Sequence, residues 1–233
     1  MMRLALAAAV LLGALAAGAG PAGATNECKG LQVCVRVAGP WVVVPAARKT
    51  PRAPVQYQLS CPRGFTVGGL DAELSVRAID VDFSGLLGSP VNPGVTTSHA
   101  AVFRAVYTGT AAATPTFRPH LGCIPASGGG GGPVPFRVPT AFPPGTPTVR
   151  RVRNVRLQIG VTRVAATCAA GERLISGWHA VGFNTSRAPN ATLVQSVSAT
   201  QHIRRNAVDV RVRAVLGPAP AVVQVGAVCG GGS

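Results

Sequence analysis

Two cysteine brackets of nearly equal length constrain this chain more than any other feature. Cys61 and Cys123 lie 62 positions apart, and Cys168 and Cys229 lie 61 apart. Each bracket opens Cys-x-x-Gly, as Cys61-Pro-Arg-Gly64 and Cys168-Ala-Ala-Gly171. Each continues with a small-residue step, Gly68-Gly69-Leu70 in one and Ser176-Gly177-Trp178 in the other. The brackets close on Leu121-Gly122-Cys123 and Ala227-Val228-Cys229. The same signals in the same order at a fixed period read as an internal duplication. The duplication predicts disulfides Cys61–Cys123 and Cys168–Cys229, which leaves Cys28 and Cys34 to close a short loop. Zinc-finger sites need closely paired Cys or Cys/His ligands, and that spacing does not occur, so no metal and no cofactor is expected.

Six cysteines imply an oxidising compartment, and the first residues agree. Arg3 precedes an apolar run from Leu4 to Leu15, and small residues end at Gly23-Ala24. This is the pattern of a secretory signal peptide over 1–24, cleaved after Ala24. The apolar run is too short to span a bilayer. The mature chain is expected to be secreted, extracellular or cell-wall associated, with no integral membrane segment.

Past the signal, apolar residues alternate with polar ones, and sustained helical spacing is lacking. Val55–Leu59, Leu70–Val76, Ile79–Phe83, Ala101–Tyr107, Leu174–Phe183, Thr192–Thr200, Val208–Val215 and Ala221–Cys229 read as strands. Trp41–Val44, fenced by Pro40 and Pro45, reads as an edge strand. The fold class is all-β: two tandem antiparallel β-sandwich domains, immunoglobulin-like or jelly-roll-like. They cover 25–126 and 149–233, joined by a Gly/Pro-rich linker over 127–148.

Charge bears on partners. Twenty-two Lys and Arg face seven Asp and Glu, a formal net charge of +15. The near-exclusive use of Arg, amid much Ala, Val, Gly and Pro, has the look of a GC-rich bacterial genome. Such a balance favours anionic polymers, among them acidic cell-envelope polymer. Aromatic side chains that would stack on bases are few, so specific nucleic-acid recognition is not expected.

The candidate anion site is Arg150, Arg151, Arg153 and Arg156, in a stretch from Val149 to Ile159 that has no clear counterpart in the first bracket. Guanidinium groups grip phosphate or carboxylate bidentately; the plainer reading is an exposed strand face guarding an edge. Asp71, Glu73, Asp80 and Asp82 cluster within a dozen residues, as acid/base pairs do, although outward carboxylates on a strand are ordinary. His99, His120, His179 and His202 form no HExxH or HxH motif, and no Gly-x-Ser-x-Gly elbow occurs. No catalytic residue is assigned.

The Cys-x-x-Gly opening, glycine pair and closing cysteine resemble a repeat of uncharacterised secreted proteins from GC-rich bacteria. The spacing Cys168…Trp178…Cys229 also resembles the immunoglobulin pattern, which implies a Trp packed on an inter-sheet disulfide. It departs from that pattern at Ala227, where a tyrosine would stand, and at Leu70, near the Trp position of the first bracket. Both resemblances imply a fold and not an activity. The function expected is a non-enzymatic binding or structural protein; the alternative is a secreted hydrolase with a cryptic carboxylate or Ser/His/Asp site.

Overall fold

A computed structural model describes residues 25–46, 53–84, 99–110, 114–126, 148–215 and 220–231. The signal-peptide expectation over 1–24, and all of the linker expectation over 127–148 except its last residue, lie outside them. The first half contributes β1 (Val35–Ala38), β2 (Trp41–Val43), β3 (Val55–Ser60), β4 (Phe65–Leu74), β5 (Ile79–Ser84), β6 (Ala100–Tyr107) and β7 (Thr116–Pro125). The second contributes β8 (Val149–Arg156), β9 (Gly160–Thr167), β10 (Arg173–Phe183), helix α1 (Ala191–Gln195), β11 (Val197–Arg204), β12 (Ala207–Ala214) and β13 (Ala221–Gly230). Every pairing is antiparallel.

The halves use one pairing scheme. A three-stranded sheet β3-β6-β5 in the first half matches β9-β12-β11 in the second. Opposite each lies a long strand pair, β4 with β7 and β10 with β13. Each core fills the space between its two layers: Val67, Phe103, Phe117 and Leu121 in one, Phe183, Val208, Val212, Val223 and Val225 in the other. The three disulfides are Cys28–Cys34, Cys61–Cys123 and Cys168–Cys229, the pairs expected from the two brackets. Each long one ties the residue after an outer strand to the facing layer. Gly64 and Gly171, three residues past the opening cysteines, take φ of 82° and 83°. That left-handed turn is cheap only for glycine.

Three elements differ from expectation. Trp41–Val43 is no edge strand: it pairs with β7 through Val42↔Phe117 and with β10 through Phe183↔Trp41. Its prolines sit outside the paired residues and cost the ladder nothing. Through β2 the layers join into one seven-stranded sheet, so a sheet runs through both halves where two separate sandwiches were expected. Val149–Arg156 does have a counterpart. It lines β13 with Val149↔Cys229, and β1 lines β7 with Val35↔Cys123. The strand expected to begin at Thr192 begins at Val197 instead, because Asn190 Oδ1 accepts the Leu193 N–H at 2.9 Å and caps α1.

Candidate functional site

The four arginines of β8 fall on two faces of an edge strand, because successive side chains alternate. Arg150 lies on one face, its guanidinium 5.2 Å from the Trp178 ring centroid, and donates to Gln56 Oε1 at 3.3 Å. Burial lowers its pKa from the ordinary guanidinium value. Arg156 shares that parity and is exposed. Arg151, on the other face, holds Glu172 bidentately, with Nε to Oε2 at 3.0 Å and Nη2 to Oε1 at 2.6 Å. That pair raises the Arg151 pKa and lowers that of Glu172, whose carboxylate also accepts the Ala169 N–H. Arg153 donates to the Ala165 carbonyl at 3.4 Å. The structure therefore does not bring these four side chains together; three of them have intramolecular partners.

Trp178 stands opposite Gly226, on the face of β13 away from Cys229. A Cβ on Gly226 would collide with the indole, so the ring lies directly on that glycine. The indole is buried against the other half rather than packed on the disulfide as the immunoglobulin spacing implied.

The early carboxylates also disperse. Asp80 and Asp82 project from the exposed face of β5. Asp71 and Glu73 lie on β4, where Asp71 is opposite His120. Sequence reasoning missed Glu27 as their companion. His120 Nδ1 is 3.9 Å from Glu27 Oε1, and its Nε2 is 3.5 Å from Glu73 Oε2. Glu27 is 2% exposed beneath the loop closed by Cys28–Cys34, and its backbone crosses so near Gly69 and Gly122 that a Cβ on either would collide. The imidazole thus stands between a buried and a half-buried carboxylate, at ion-pair distances and without a hydrogen bond at Nε2. His179 is tied to Gln201 Oε1 at 2.7 Å. Cys168, Glu172 and Cys229 approach one another, but the two sulfurs are joined in a disulfide.

Two concavities are lined by described residues. One, of about 400 Å³, lies between the halves and is mostly apolar, with Val43, Pro54, Val55, Trp178, Val194 and Ala199 in its walls. The other, of about 380 Å³, opens on the outer face of β9-β12-β11 and is lined by Arg163, His202, Arg204, Asp209 and Arg211. Fold and geometry together define a disulfide-stapled antiparallel all-β protein. Comparison with family models, curated proteins and solved structures found no match. Among the described residues no helix is long and apolar enough to cross a membrane. Three disulfides fit an oxidising, extracellular-type environment.

Proposed function

We propose that this is an exported, non-enzymatic binding or structural protein of the cell surface or its surroundings, built by duplication of one stapled β-sandwich unit, and that it contacts anionic polymers. One observation carries the reading: where the carboxylates are. Residues 149–233 hold eleven arginines and two acids. Both acids are already engaged, Glu172 by Arg151 and Asp209 by Arg204 at 2.6 Å. The first half holds the other five acids. A surface this one-sided attracts polyanions and releases their counterions on binding. Of the carboxylates that meet basic groups, Glu172 braces a turn, Glu27 is buried and Glu73 pairs across the β4–β7 ladder with Arg118, which supports structural roles over acid/base work.

The test is retention of the mature chain on immobilised polyglutamate and on poly(glycerol phosphate) across a salt gradient. Affinity is expected to fall linearly with the logarithm of salt concentration. No retention on either polymer at low salt overturns the proposal.

A further inference from the structure

The outer face of β9-β12-β11 has an exact register match in the first half, and the two faces carry opposite charge. Gln56, Arg104 and Asp82 stand in one row across β3, β6 and β5. The matching row across β9, β12 and β11 reads Arg163, Arg211 and Thr200. In the next row Val106 and Asp80 are matched by Arg213 and Ser198. One arginine is shared; the two acids beside it are replaced by hydroxyls, and two further arginines are added.

Like charges directly across an antiparallel ladder are destabilising. Arg163 and Arg211 are in that position, and both are exposed, as is Arg213. All seven Asp and Glu side chains are among the described residues, and none of them forms an ion pair with these three. Asp209, the acid on this face, is held by Arg204. The face is also concave at Arg163 and Arg211. Fold stability gains nothing from three guanidiniums gathered without a counter-charge, whereas a bound anion would relieve them.

From this we infer a polyanion site at Arg163, Arg211 and Arg213, with the Thr200 and Ser198 hydroxyls as further donors, for a flexible chain of phosphodiester-linked polyols. The inference rests on the polyanion reading above and gives it a place. The donors favour phosphate: guanidinium forks and hydroxyls suit tetrahedral oxyanions. Neighbouring strands lie about 5 Å apart and alternate residues about 7 Å apart along a strand, so the site meets closely successive charges on one extended chain. Among its described residues the face carries no Phe, Tyr or Trp, and His202 is its one ring, which leaves bases little stacking platform.

The experiment compares three proteins: wild type, the triple variant Arg163→Gln, Arg211→Gln, Arg213→Gln, and the quadruple variant Arg150→Gln, Arg151→Gln, Arg153→Gln, Arg156→Gln. Circular dichroism verifies folding, and the triple variant alters only exposed side chains. Binding to poly(glycerol phosphate), polyglutamate and poly(dT) is measured against salt. The triple variant is expected to lose about 10-fold in affinity for poly(glycerol phosphate) and to lower the salt slope by about 2, at roughly 0.7 per phosphate contact on a single chain. The quadruple variant, although it removes more charge, should lose less. An equal or larger loss in the quadruple variant overturns the site. Equal affinity of wild type for polyglutamate, or tighter binding of poly(dT), overturns the ligand class and leaves the polyanion reading standing. Failure of wild type to bind any of the three overturns that reading itself.

Discussion

The halves share one ladder but differ on the face turned away from each core. In the first half Asp71 lies opposite His120; at the matching register in the second, Trp178 lies opposite Gly226. The cover explains the chemistry. The first half is roofed by its own N-terminal loop, and the Glu27 carboxylate beneath it meets His120 and Arg36. The second half is roofed by β3 of the first, so its face is an interface and takes an aromatic ring. Gln224 completes that interface. Fully buried, it accepts the Gln58 N–H at 2.6 Å and donates to the Gln58 carbonyl at 2.9 Å, standing in for the strand that the edge of β3 lacks. On β9 the matching carbonyl, Ala165, is capped instead by Arg153 of its own half. One pairing scheme thus accepts either a charged or an apolar outer face, according to what covers it.

The largest expected effects come from the disulfides. Replacing both cysteines of Cys61–Cys123, or both of Cys168–Cys229, with alanine should lower unfolding free energy by a similar amount, about 4 kcal/mol, because the loops they close are nearly equal in length, at 62 and 61 residues; loss of Cys28–Cys34 should cost about 2 kcal/mol. Urea titrations followed by tryptophan fluorescence and far-UV circular dichroism would measure this. A shared sheet requires the two signals to move together; separate transitions for the two halves would break the comparison.

Next comes alkaline pH, which should single out the first half. Burial pushes the Tyr57 phenol up to about 12. The folded value lies above the unfolded one, near 10, so the neutral ring's contribution is complete below pH 10 and is lost as pH rises toward 12. A displacement of that size corresponds to about 3 kcal/mol. The matching residue in the second half is Val164, which does not titrate. Tyr57→Phe should flatten stability between pH 10 and 12; persistence of the full loss would refute the assignment to Tyr57.

The smallest separates the two edge caps. Gln224→Leu leaves the Gln58 N–H and C=O without partners, at a cost of about 2 kcal/mol. Arg153→Ala uncovers one carbonyl at an exposed edge and should stay within about 0.5 kcal/mol. Denaturation midpoints reversed in order would show that the interface at β3 is not a stabilising one.

Much of the fold was legible because alternation is loud where one face is buried. In β12, Val208, Val210 and Val212 face inward while Asp209, Arg211 and Arg213 face out. It was faint in β9, whose inward residues Thr162, Val164 and Ala166 scarcely differ in polarity from outward Val161, Ala165 and Thr167. The pattern there does not mark a strand, so it does not single out Arg163. The Arg150–Arg156 stripe looked like one site because proximity in sequence is not proximity on a strand. Adjacent side chains point to opposite faces.

Period-two patterning and cysteine spacing, which are local or repeated signals, were enough for the all-β class, the three disulfides and the long strands. Tertiary structure alone decided that β2 joins the halves, that Trp178 faces a neighbour, that Glu27 meets His120, and that Arg163 faces Arg211. Those facts depend on which strands pair and in what register, and residues far apart in the chain carry no mark of it. Arg163 and Arg211 are 48 positions apart in sequence and face to face in the sheet.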